Sequence, residues 1–327
     1  MAFAVILPQP YAHDFYYLDL FTLCCLYGIL VLGLNIIFGY TGQLALSHVG
    51  FWGIGAYVSA LLTVDLGWWS GWAMALGMVV CAALAAPLGI ITRNLAGHYL
   101  ALATLVFTGI VQLLLLNWVG LTKGPNGIGG IPPLGVGGFV AESPLARYYL
   151  MLAALIVVAV FTWRWQTSCY GRRAAAMKRS ELAARSLGVD TSQLKVVSLM
   201  VSAAIASFAG SLYAHYLGYV SPDVFGFAEM FKMVTMIIIG GLATVGGPIV
   251  GAALLVMAPE WFRGFQQYWQ LIYAVLLLVL VLRMPYGIWG LVLRLRDNLR
   301  HRRRDAPSVT GKAPHAPERA EEEVKVP

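Results

Sequence analysis

Charge is the scarcest commodity in this chain. Of 327 residues only 11% are charged, while 59% are hydrophobic and the mean hydropathy is +0.74. Soluble domains carry roughly 25% charged residues, so water is excluded as the main solvent. Cysteine is scarce too: Cys24, Cys25 and Cys81 fall in apolar runs and Cys169 in a basic loop. None has metal-ligand spacing, so they read as small hydrophobes and one cytosolic thiol. Three motifs are missing as well. No HExxH and no Ser/His/Asp grouping stand out, which argues against a metalloprotease or an integral membrane enzyme. No GxxxxGK[ST] phosphate loop occurs, since Gly311-Lys312 is followed by Ala313. Any nucleotide-driven work therefore falls to another polypeptide. No basic stretch with a cleavage site begins the chain, so no removable signal is expected.

What is present is a series of apolar runs, several reaching the ~20 residues that cross a hydrocarbon layer as helix. They are rich in Leu and Ala and lack a sustained period of two, which argues against a transmembrane barrel. The expected fold is an all-α integral membrane protein, a polytopic bundle of about nine (8–10) spans. The segments read as Leu18–Phe38, Leu46–Leu66, Trp68–Ile91, His98–Leu121, Leu145–Trp163, Leu194–Leu217, Phe227–Leu242, Gly247–Phe262 and Leu271–Arg283. The seventh and eighth are short and separated by glycine, as in a broken hairpin. Residues 1–17 read as an external segment, 18–295 as the membrane domain and 296–327 as a cytosolic tail, first basic and then disordered.

Lysine and arginine set the orientation. The loop 164–193 holds Arg164, Arg172, Arg173, Lys178, Arg179 and Arg185, and Arg294, Arg296, Arg300, Arg302, Arg303 and Arg304 follow the last span. Residues 1–17 hold none, and the loop 122–144 holds only Lys123. The N-terminus is thus expected outside and the C-terminus inside. The span centres are nearly bare of ionisable groups, unlike those of ion-coupled transporters. Near one span end Glu229 and Lys232 have the i, i+3 spacing of a helix-face pair.

Three stretches depart from plain lipid-facing sequence. Residues 39–57, GYTGQLALSHVGFWGIGAY, combine five glycines with Tyr40, Thr41, Gln43, Ser47 and His48. Irregular polar sequence at membrane depth is tolerated only inside protein or beside a watery path, so both tight packing and path lining are open. Tyr40, Gln43, His48 and Gly50 are the path candidates here. Residues 240–254, GGLATVGGPIVGAAL, repeat the pattern with Gly241 and Gly247, as a weak parallel internal repeat would. In the basic loop, Ser180 suits an N-cap, Glu181 a positive first turn and Gly188 a C′ position, which predicts a short surface helix. The outer loop 121–135, LTKGPNGIGGIPPLG, reads as successive turns, and Lys123, Pro125, Asn126 and Gly127 offer an external landing surface.

In order along residues 18–295, GLNIIFGYTGQLALSHVGFWGIGAY, LAGHYLALATLVF, LTKGPNGIGGIP, ELAARSLGVD and YAHYLGYVSPDVFGF resemble the branched-chain amino acid ABC permease family, and its M-type subunit more than the H-type. The resemblance implies a pore subunit forming half of the pathway in a bacterial inner-membrane importer. Its partners would be a paralogous H-type permease, two cytosolic ATPases carrying ATP and Mg, and a periplasmic binding protein. The chain itself would hold no cofactor or metal. Glu181, Ala183, Ala184, Arg185 and Gly188 then match the family's ATPase-coupling loop, although Leu182 separates Glu181 from the alanine pair. Urea and short-amide importers share most of these motifs, and a stand-alone channel or secondary transporter is the alternative class.

Overall fold

A computed structural model describes residues 15–261 except 96, 137, 138, 141 and 142. The ninth expected segment, Leu271–Arg283, the termini and the tail lie outside the described residues.

Within the described residues, each of the first eight expected segments overlaps a helix over most of its length. Helix α1 (Phe15–Asn35) runs into a π-helical turn (Ile36–Thr41), and α2 (His48–Val64), α3 (Ser70–Thr92) and α4 (His98–Asn117) follow. A one-turn α5 (Val119–Thr122), a 3-10 turn (Gly124–Asn126) and three two-residue strands, β1 (Ile128–Gly129), β2 (Gly135–Val136) and β3 (Phe139–Val140), form the next connection. Then come α6 (Pro144–Thr167), α7 (Cys169–Arg179), α8 (Glu181–Ser186) and α9 (Thr191–Leu217). Strand β4 (Tyr219–Val220), a 3-10 turn (Pro222–Phe225), α10 (Phe227–Gly240) and α11 (Gly246–Trp261) complete the described chain. Among the described residues, five helical segments are long and apolar enough to cross a membrane: Tyr16–Thr41, Ser70–Thr92, His98–Asn117, Pro144–Thr167 and Thr191–Leu217. Helix α2 has 17 residues, α10 has 14 and α11 has 16.

Helix α9 packs along α2 and α3, and α1 packs along α6 and α11. Small residues at every fourth position of α9 (Ala203, Ser207, Ser211 and Ala206, Gly210, Ala214) let neighbouring backbones approach without side chains between them. A Cβ on Gly210 would overlap the Trp52 carbonyl, and one on Gly55 would overlap the Ser207 backbone. Trp52 fills the space beyond the crossing, edge-on to Phe225 at 4.8 Å and to Tyr213 at 5.1 Å between ring centroids.

The two buried histidines and the Glu229–Lys232 group within this apolar body are paired, as burial favours. His48 Nε2 donates to Leu30 O at 2.9 Å, which leaves Nδ1 to accept from Ser202 Oγ at 3.0 Å. His215 Nδ1 donates to Pro132 O at 2.8 Å, and its Nε2 accepts from Ser59 Oγ at 3.0 Å. Lys232 Nζ lies 3.4 Å from Glu229 Oε1, the helix-face pair the spacing predicts. Tyr27 completes the group, donating to Glu229 Oε2 at 3.0 Å and accepting from Lys232 at 3.1 Å.

Candidate functional site: a glycine-turn junction and a surface helix

At the end of the bundle that carries the basic loop, three segments distant in sequence converge. The first glycine-rich stretch leaves α1 through the π turn, and Gly42 (φ 72°) closes it. Residues 42–47 then form no regular element, so α2 starts at His48 rather than at Leu46. The Leu46 backbone is satisfied from α4: its N–H donates to Thr104 Oγ1 at 2.8 Å, and Thr108 Oγ1 donates to its carbonyl at 2.8 Å. That is how non-helical backbone survives inside an apolar body.

The second glycine-rich stretch, between α10 and α11, lies against the first. Its turn holds Gly241 at φ 117° and Ala243 at φ 60°. Asn35 clamps it: Nδ2 donates to Thr244 O at 2.7 Å, and Oδ1 accepts from Ala243 N at 3.0 Å. Gly39 must be glycine here, because a Cβ would overlap Asn35 Oδ1. From the basic loop, Lys178 Nζ donates to Gly39 O at 2.7 Å, while its stem crosses Gly42. Burial pushes the Lys178 ammonium below its ordinary value.

The predicted surface helix is α8. Ser180 Oγ accepts from Ala183 N at 3.3 Å, Glu181 occupies the first turn, and Gly188 follows at φ 79° with its N–H on Arg185 O at 2.9 Å. Glu181 binds Lys195 Nζ and Arg185 Nη2, each at 2.8 Å, and accepts from Thr191 Oγ1 at 3.3 Å. Lys195 is only 7% exposed, and it also donates to Arg93 O at 3.3 Å. Burial alone would raise the Glu181 carboxyl, but Lys195, Arg185 and Thr191 together hold it below the ordinary carboxylate value. Ala184 is buried, whereas Leu182 and Leu187 are 78% and 83% exposed, with Ala183, Arg185 and Gly188 beside them in solvent. One face of α8 is therefore fastened and the other is an unpartnered apolar surface with basic neighbours. A cavity of about 120 Å³ lies behind it, lined among others by Thr41, Gln43, Leu100, Glu181 and Lys195.

The path candidates divide by position. Tyr40, Gln43, Gly241 and Gly247 gather at the glycine-turn junction. Tyr40 is buried, with its hydroxyl on Gln166 Oε1 at 3.2 Å, and Gln43 reaches Thr41 Oγ1 at 3.0 Å. Gly247 packs against the Gly241 carbonyl. His48, 2% exposed with both ring nitrogens bonded, instead fastens α1, α2 and α9 together. Gly50 packs against Phe107 and Thr108. Sequence reasoning missed Asn35, Lys178 and Lys195. An amide inside the apolar run LGLNIIFG was the available signal, because a buried amide needs partners.

At the opposite end, the outer loop is a built platform. Ile128 pairs with Val220 and Gly129 with Tyr219, Ile131 N donates to Gly218 O at 3.2 Å, and Tyr219 Oη donates to Asn126 O at 3.0 Å. Lys123, Pro125 and Asn126 are exposed, whereas Gly127 is buried at φ 66° where a Cβ would overlap Val220 O. Gly127→Val is therefore expected to unpair β1 from β4 and make the loop cleavable at Lys123, read by limited trypsin digestion against the parent protein.

Long apolar helices packed together through small residues define a multi-pass helical membrane protein. The chain belongs to the branched-chain amino acid transport system / permease component family, whose model matches residues 16–284. It is 36% identical over 295 residues to the high-affinity branched-chain amino acid transport system permease protein LivM of Salmonella typhimurium (strain LT2), covering 83% of this chain and 69% of that protein. LivM of Escherichia coli (strain K12) is 35% identical with the same coverage. LivH of Escherichia coli (strain K12), named a permease protein of the same system, is 26% identical over 287 residues, or 82% of this chain and 92% of that protein. No solved structure matches the chain.

Proposed function

We propose that this chain forms half of the translocation pathway for branched-chain amino acids in a bacterial inner-membrane ABC importer. Separate subunits carrying ATP and Mg energise it, and the chain has no ATPase site or cofactor of its own. A paralogous H-type permease is its partner across the pathway, and a periplasmic binding protein delivers the solute. In this reading residues 18–295 make the membrane domain, with nine spans, the N-terminus outside and the tail 296–327 in the cytosol. The two glycine turns are the corresponding points of a parallel internal repeat. Tyr40, Gln43, Gly241 and Gly247 border the inner part of the path, with His48 and Gly50 supporting it from behind. The loop surface of Lys123, Pro125 and Asn126, held by Gly127, receives the binding protein.

The observation that carries this reading is α8. A six-residue helix is fixed to the bundle through Ala184 and the Glu181–Lys195 pair, yet presents Leu182 and Leu187 to solvent. Such a rigid apolar knob fits the cleft of a cytosolic partner. Changing Leu187 to Glu, or Gly188 to Trp, is expected to abolish co-purification of the ATPases and ATP-dependent uptake while leaving membrane insertion intact. Gly188→Asn, which tolerates the left-handed backbone, is expected to keep both. Leu187→Glu protein that still retains its ATPases would refute the role of α8. The ligand of the cognate binding protein decides the cargo: a urea-selective protein would replace the amino acid in this proposal.

A further inference from the structure

The coupling helix and the glycine turns are joined by one continuous line of contacts. Helix α7 leads straight into α8 through Ser180, whose hydroxyl caps α8. One residue before the end of α7, Lys178 turns back into the bundle and donates to the carbonyl of Gly39. Gly39 sits inside the π turn, a local widening of the helix of the kind found at functional sites. Its Cα rests on the Asn35 side chain, which holds both Ala243 N and Thr244 O across the junction. Ala243 at φ 60° is kept in a conformation that an L side chain rarely adopts, so the second turn is strained and its clamp is structural necessity.

Resting on the reading of α8 as the ATPase contact, we infer that Lys178 is the positioning residue that carries movement of α8 into the paired glycine turns, with Asn35 as the relay between them. The ammonium suits this task. Although the residue as a whole is exposed, its ammonium is turned back onto the Gly39 carbonyl at 2.7 Å, a charge-assisted bond that replaces part of its hydration. Its stem fills the surface of Gly42, where the left-handed backbone leaves no side chain in the way. A displacement of α7 therefore either pulls the Gly39 carbonyl with it or breaks this charge-assisted bond. The π turn yields to that pull, and through Asn35 the Ala243 turn is drawn or released together with it. Helices α1, α2, α10 and α11 all end or begin at this junction, so a small shift there re-aims four helix ends at once.

The experiment uses the complete transporter, with all its subunits, in proteoliposomes, and measures ATP hydrolysis and solute uptake side by side. Lys178→Met keeps the length of the stem and removes the donor. It is expected to retain subunit assembly and ATP hydrolysis, while uptake per ATP falls about tenfold, the ratio that ~1.4 kcal/mol of coupling sets. Lys178→Arg, which restores a charged donor, is expected to recover most of the ratio. Asn35→Leu is expected to lower the ratio as Lys178→Met does. An unchanged ratio in Lys178→Met, or hydrolysis and uptake falling together with loss of assembly, overturns the inference. Failure of the underlying reading looks different: Leu187→Glu would then keep its ATPases. If Leu187→Glu loses them and Lys178→Met couples normally, only the linkage is refuted.

Discussion

Gly210→Leu is expected to prevent the bundle from forming. At this position on α9 a Cβ would overlap the Trp52 carbonyl oxygen, and the Ala56 amide nitrogen lies only 2.8 Å away. These are backbone atoms of α2, and α2 cannot retreat freely, because Gly55 sits equally tightly against the Ser207 backbone. Overpacking an ordinary core costs about 1–3 kcal/mol because side chains shift to absorb it. Here no side chain intervenes, so the whole α2–α9 crossing must open. Opening it would also pull Trp52 from its edge-on contacts with Phe225 and Tyr213 and separate His48 from Ser202. Fluorescence-detected size exclusion after mild detergent extraction reads the outcome: a monodisperse peak for the parent and aggregate for Gly210→Leu. Gly210→Ala is expected to be intermediate. A monodisperse, thermally unshifted Gly210→Leu protein would mean that the close crossing does not hold the bundle together.

The location of the helices was legible because lipid imposes one rule, a long apolar run with its backbone satisfied internally. Ser180, Glu181 and Gly188 announced α8 for a similarly local reason, since caps and positive-φ glycines act within a few residues. Where local signals compete with distant partners, the reading stops. The expected fourth segment continues to Leu121, yet α4 ends at Asn117, because Trp118 leaves helical geometry and Thr122 turns back to bond Leu115 O at 2.7 Å. Helix α2 starts two residues late because hydroxyls on α4 capture the Leu46 backbone. Helix α7 and the pairing of β1 with β4 were not foreseen. The strand pair joins residues some ninety positions apart, for which no local pattern exists. The site followed the same division. The glycine stretches stood out by composition, but their mutual contact runs through Asn35 to residues about 208 positions away. Lys178 was one cation among six in its loop, and only the fold distinguishes it by turning it inward. His48 shows the converse. A histidine in a polar, glycine-rich stretch suggests a path, yet its neighbours Leu30 and Ser202 satisfy it completely.

Glu181→Ala is expected to detach α8 from the bundle. Lys195 is 7% exposed and has two recorded acceptors, Glu181 Oε1 at 2.8 Å and Arg93 O at 3.3 Å. Removing the carboxylate leaves a buried ammonium on one long carbonyl contact, and stranding a buried charge costs about 3–5 kcal/mol. The lower end, ~3 kcal/mol, applies because the Glu181 side chain keeps one-third of its exposure and gives up less solvation than a fully buried partner. Arg185 and Thr191 lose the same acceptor, so the turn between α8 and α9 loosens as well. Adding Lys195→Met to Glu181→Ala removes the stranded charge and is expected to restore most of the loss, whereas a mere loss of helix capping would not be rescued. The same pair predicts a pH dependence. The Glu181 carboxyl is held below its ordinary value in the folded protein, so its stabilisation is present in full above the unfolded carboxylate value and is lost as pH falls through the folded one. Hydrogen exchange at residues 181–188 is therefore expected to be slow and flat from neutral pH down to the ordinary carboxylate range, once corrected for intrinsic rates. Below that range protection drops. In Glu181→Ala protection is expected to be low throughout and the acid step absent. A persisting acid step in that variant would assign the titration to another group, and protection equal to the parent's would show that Ala184 alone seats the helix.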